Sequence, residues 1–70
     1  MKDLTWKIIK EFEHWEAYLG KEKFGQAIYS FYGSEFVITF SGIRGIFYKS
    51  TLQEALQFIQ DKHEEWNKEN

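Results

Sequence analysis

Between residues 4 and 19 the chain sets Leu4, Ile8, Phe12, Trp15 and Leu19 along one stripe at the helical period, widened by Ile9 and Tyr18. Asp3 stands where an N-cap belongs, and Gly20 where a helix would stop. Lys7, Lys10, Glu13 and His14 fall on the far side of this predicted helix. Trp6 is the exception, projecting among Lys10, Glu13 and Ala17, away from the stripe. A second helix is predicted over residues 51–67. There Leu52, Ala55, Leu56, Ile59 and Trp66 share a face, with Phe58 off its edge. Ser50 and Gln53 have the spacing of a capping box, which satisfies two backbone N–H groups at a helix start.

Between the two helices the period changes to strict alternation. Gly33-Ser34 reads as a two-residue type II′ turn, with glycine taking the positive φ of the first position. That turn pairs Tyr32 with Glu35, Phe31 with Phe36, Tyr29 with Ile38 and Ala27 with Phe40. One sheet face then carries Ala27, Tyr29, Phe31, Phe36, Ile38 and Phe40. The other carries Ile28, Ser30, Tyr32, Glu35, Val37 and Thr39. The next turn, within SGIRG, is either Ser41-Gly42 or the four residues from Gly42 to Gly45. Both versions put Phe47 on the aromatic face and Ile46 and Tyr48 on the opposite one.

The predicted fold is α+β: helix, three-stranded antiparallel meander, helix (αβββα), in two layers with both helices on the aromatic face. The second sheet face is then open; in an alternative three-layer packing, helix 1 crosses over to cover it. Residues 1–70 are read as one compact domain, with a frayed polar tail from Asn67 to Asn70.

Composition narrows what can hold this fold together. Seventy residues without a cysteine have no disulfide staple, so packing of the seven Phe, four Tyr and three Trp must supply the stability. No apolar run has membrane-spanning length, and the start MKDLTWKIIK lacks a signal-peptide core. The expectation is a cytoplasmic protein with no membrane association. Net charge is −2, with residues 1–19 at −1, residues 20–50 at +2 and residues 51–70 at −3. Imbalances this small indicate neither a nucleic-acid footprint nor an acidic mimic of one.

Catalytic constellations are scarce. Glu11 and His14 have the Glu-x-x-His spacing that supplies half of a di-metal carboxylate site, but Gln60 occupies the matching position before His63. Glu11 and His14 are therefore read as a solvated helix face, and His63 as a partly buried structural histidine. No serine is flanked as a nucleophile elbow, and the glycines of GSEFVITFSGIRG lack phosphate-loop spacing. The expectation is a non-enzymatic protein that needs no metal or cofactor.

Two binding chemistries are left. Tyr32 and Tyr48 on an open sheet, with Arg44 nearby, have the makings of a base-stacking surface. The segment GIFYKSTLQEALQFI is similar in rhythm to the arm-type DNA-binding domains of phage integrases, which are three strands followed by a helix. The resemblance covers about half the chain and implies nucleic-acid binding, yet this sheet has few of the basic residues that phosphates require. A protein-binding face fits the composition better. Ile28, Tyr32, Val37, Arg44, Ile46 and Tyr48 set aromatic and aliphatic anchors among small polar residues. Trp6 and Phe58 are further candidate anchors. The favoured reading is a small accessory or inhibitor protein, of the kind phages and mobile elements carry, that occludes a larger protein partner. Homodimerisation through the same face is compatible with it.

Overall fold

The computed structural model describes residues 3–69. It contains β1 (Thr5–Lys10), β2 (His14–Leu19), β3 (Glu22–Ser30), β4 (Glu35–Phe40), β5 (Phe47–Lys49) and one helix, α1 (Leu52–Glu69). The strands form one five-stranded antiparallel meander, each paired with its neighbour in sequence. The predicted αβββα order is thus corrected: the segment read as a first helix is a β-hairpin, and a single helix follows the whole sheet.

The reason is visible in the same residues. Leu4, Trp6 and Ile8 alternate with Thr5 and Lys7, while Trp15, Ala17 and Leu19 alternate with His14, Glu16 and Tyr18. That is a period of two, carried by Thr, Trp, Ile and Tyr, which favour strands. Trp6, the misfit of the helical reading, lies directly across from buried Ala17 in the β1–β2 ladder and packs against the core. Between the strands, Glu13 N–H donates to the Lys10 carbonyl at 3.0 Å. Phe12 takes a φ of 68° there, a conformation that turns usually assign to glycine or asparagine. Gly20, predicted to end a helix, instead opens the two-residue β2–β3 loop with a φ of 64°. It fills the role the sequence suggested for Gly33.

The β3–β4 hairpin also departs from its predicted register. Ser30 faces Glu35, Tyr29 faces Phe36 and Ala27 faces Ile38, so Phe31 to Ser34 form a four-residue loop. Ser34, at φ 52°, takes the positive-φ position rather than Gly33. The slip is two residues, which preserves side-chain parity. The predicted inner residues Ala27, Phe36, Ile38 and Phe40 are buried as expected, whereas Phe31 sits in the loop against Tyr29.

The core lies between the sheet and α1. Ala17, Ala27, Phe36, Ile38 and Phe40 meet Ala55, Ile59 and His63, which recur every fourth residue along the helix. Ile38 and Ile59 are fully buried, each contributing about 1.5–3 kcal/mol by leaving water. A bulge in β3 opposite Ala17 and Tyr18 makes Phe24 an extra residue. Its ring packs edge-on to His63 at 5.7 Å. Thr51 caps α1, accepting from Glu54 N–H at 3.1 Å and donating to the Glu54 carboxylate at 3.0 Å. This is the predicted box spacing moved one residue along. The helix continues through Asn67 to Glu69, where a frayed tail was expected, while Asn70 lies outside the described residues. It packs on β3, β4 and β5, which leaves two surfaces of the sheet uncovered.

Candidate interaction faces

The first uncovered surface is the whole side of the sheet opposite α1. Strand pairing builds a row across it: His14 lies beside Ile28, Ile28 beside Val37, and Val37 beside Tyr48. Three of the predicted partner-binding residues are thus direct cross-strand neighbours, within side-chain contact range of one another. Ile28 and Tyr48 are exposed and Val37 half-buried. Tyr32 stands fully exposed in the β3–β4 loop. A depression of about 400 Å³ lies beside the row, with Ile28, Tyr32, Val37 and Thr39 in its lining. Arg44 and Ile46 are exposed in the loop between β4 and β5, outside the paired row. Trp6 is on the other side of the sheet, half-buried, and Phe58 is half-buried in the helix–sheet interface.

The parallel row holds Lys7, Glu16, Gln26 and Thr39. Glu16 organises this half of the face. Its Oε1 accepts from the Tyr18 hydroxyl at 2.9 Å and its Oε2 from Lys23 Nζ at 2.7 Å. Lys23 also donates to Gln26. His14 Nε2 lies 3.7 Å from Glu16 Oε2. The Lys23 hydrogen bond, followed by that of Tyr18, holds the Glu16 carboxyl below its ordinary range. Donating to that carboxylate, with some burial, raises the Tyr18 phenol above its own. Lys23 is consequently committed to Glu16, and a phosphate approaching here would have to compete for it.

Sequence reasoning missed Glu16, Tyr18 and Lys23 as members of this face. Reading residues 4–19 as a helix separated Glu16 and Tyr18 from the sheet and left Lys23 without its cross-strand partners. The alternation His14, Glu16, Tyr18 was the available signal. Glu11 is exposed in the β1–β2 turn while His14 points along the open face, so the pair no longer shares a helix surface. Among the described residues, no group of three or more His, Asp or Glu could hold a metal ion. Nor, among the described residues, is any helix long and apolar enough to cross a membrane.

Together these features define a five-stranded antiparallel meander covered on one side by a C-terminal helix, with the other side split into an apolar and a polar row. No family model, curated protein or solved structure matches the chain. The likeness in rhythm to integrase arm-binding domains is limited on the fold as well, because five strands rather than three precede the helix.

Proposed function

We propose that this chain is a small non-catalytic module that binds another protein through the open sheet face. The observation carrying this reading is the continuous row Ile28–Val37–Tyr48, set on the side that α1 leaves uncovered. Contiguous apolar patches of this kind mark interaction surfaces more often than isolated exposed residues do. Tyr32 extends the patch at one end, and the Glu16 cluster supplies a polar border. The face has the aromatic-anchor and polar-rim composition of interfaces. Such a module acts by covering a surface of its partner, as some accessory and inhibitor proteins of phages do.

The test is the double substitution Tyr32→Ala with Tyr48→Ala. Its circular dichroism and thermal midpoint should match the parent, while capture of a partner, or a dimer measured by light scattering, is lost. Unfolding of the double variant, or undiminished capture by it, defeats the reading. A titration with single-stranded DNA across salt separates the nucleic-acid alternative. Tight binding that weakens steeply with salt and is lost in the same double variant would replace protein binding as the function of this face.

A further inference from the structure

We infer that the second uncovered surface, a groove between α1 and the inner side of β1–β2, receives an arginine- or lysine-bearing segment of another protein. The groove is an open depression of about 610 Å³, lined by Trp6 and Trp15 from the sheet and by Gln53, Glu54, Leu56 and Gln57 from the helix. The indoles meet edge to face, 6.2 Å apart at 69°, and so form a corner rather than a flat stack. Such a corner lets one planar or rounded cation meet both rings.

The argument is one of charge complementarity between the two flanks of α1. On the far flank the chain supplies its own cations to its aromatic rings. Lys49 Nζ lies 5.0 Å from the Phe58 ring, and Lys62 Nζ lies 5.7 Å from Phe47 and 5.9 Å from Phe58. On the groove flank stand two tryptophans, the side chain whose face attracts cations best. Among the described residues no lysine or arginine sits over either of them. The charged group in the lining is instead Glu54, and Asp61 accepts from Gln57 one turn further along at 2.9 Å. The tryptophan flank thus has the ring faces and an acidic neighbour for a cation site, and among the described residues no cation lies over those rings.

The lining runs along α1 from Gln53 to Gln60, about two helical turns, a length that suits a peptide segment rather than a lone ammonium ion. Gln53 and Gln57 offer amide donors and acceptors to a peptide backbone lying along the helix. Arginine should be preferred to lysine, because its guanidinium is planar, stacks on indoles and is more weakly hydrated. This groove is on the opposite side of the sheet from Tyr48, so it is independent of the face proposed above.

The experiment uses the full chain carrying Trp66→Phe, so that emission reports Trp6 and Trp15. A hexapeptide alternating Gly and Arg is titrated at low salt beside the same peptide with Gln in place of Arg. The arginine peptide should quench saturably, its lysine counterpart more weakly, and the glutamine peptide not at all. Trp6→Leu should weaken binding about tenfold or more, and Glu54→Gln about threefold. Glutamine at position 54 keeps the capping spacing, so that variant decides the matter even if Trp6→Leu fails to fold. Tyr32→Ala with Tyr48→Ala should leave this binding unchanged. Absence of saturable quenching, equal binding of the glutamine peptide, or indifference to Glu54→Gln overturns the inference. Self-association abolished by Arg44→Gln would also overturn it, because the occupant would then be a second copy of the chain.

Discussion

Val37 and Ile38 are consecutive residues of β4 with similar side chains, and the sheet sends them to opposite fates. Ile38 lies under α1 with no exposed surface, while Val37 lies in the open row between Ile28 and Tyr48. The contrast shows that strand propensity alone does not locate the core; the single helix decides which face becomes interior. Substitution should expose this division. Ile38→Ala should cost about 2–5 kcal/mol, the usual range when a buried isoleucine leaves a cavity. In a domain this small each kcal/mol lowers the thermal midpoint by roughly 4–8 °C. Val37→Ala should cost less than about 1 kcal/mol. Urea midpoints for the two variants measure the difference directly, and equal losses would mean that the outer face is also packed.

A second contrast lies one strand away, between Gly25 and Gln26. Gly25 is buried beneath Phe40, so a Cβ there would sit 2.8 Å from Phe40 Cδ1 and 3.1 Å from the Thr39 carbonyl. The ring and the backbone leave no room for a methyl group. Gly25→Ala should therefore destabilise by about 1–3 kcal/mol, the range for overpacking. Gln26→Ala, on the open side, should be close to neutral. If Phe40 is what the new methyl strikes, Phe40→Leu should offset part of the Gly25→Ala loss in a double-mutant cycle. Strict additivity of the two changes would place the strain at Thr39 instead.

How much of this division the sequence revealed depends on parity. Tyr29, Phe36, Ile38 and Phe40 were assigned to the correct side although the hairpin register was two residues off, because a slip of two moves no side chain across the sheet. Residues 4–19 were misread because their apolar positions satisfy two periods together. Leu4, Ile8, Phe12, Trp15 and Leu19 make a helical stripe, while Leu4, Trp6, Ile8 and Trp15, Ala17, Leu19 make two strand faces. The turn between them, Glu11-Phe12-Glu13, contains none of the residues that announce a turn. Trp6 and its cross-strand neighbour Ala17 fitted only the strand reading. The apolar row of the open face was legible because it depends on alternation in β3, β4 and β5. The Glu16 cluster and the tryptophan groove were not, since both need the β1–β2 hairpin.

That unannounced turn offers a contrast between two phenylalanines. Phe36 is buried in the core, whereas Phe12 is mostly exposed and has a left-handed backbone conformation. An L-residue held there is disfavoured by roughly 1–2 kcal/mol relative to glycine. Glycine also loses more backbone entropy on folding, which offsets part of that relief. Phe12→Gly should accordingly raise stability by up to about 1 kcal/mol, while truncating Phe36 to Ala should lower it by about 3–5 kcal/mol. Thermal midpoints moving in opposite directions would support the turn geometry; a loss in Phe12→Gly would show that its ring is packed.

The smallest effect separates the faces by mechanism, because packing is indifferent to pH and the Glu16 cluster is not. The Glu16 carboxyl is held below its ordinary 4.5, chiefly by Lys23. Its contribution is therefore present above about that pH and is lost as pH falls through the lowered folded value. The Tyr18 phenol is raised above its ordinary 10.0, chiefly by Glu16. That contribution is complete below pH 10 and is lost as pH rises through the raised value. Both depend on one carboxylate, so the stability difference between the parent and Glu16→Gln should form a plateau between these limits and shrink on either side. The difference for Ile38→Ala should be flat across the same range. A flat profile for Glu16→Gln would mean that Lys23 and Tyr18 are held by their surroundings rather than by the charge of Glu16, and the polar half of the open face would then be ordered by packing, as the core is.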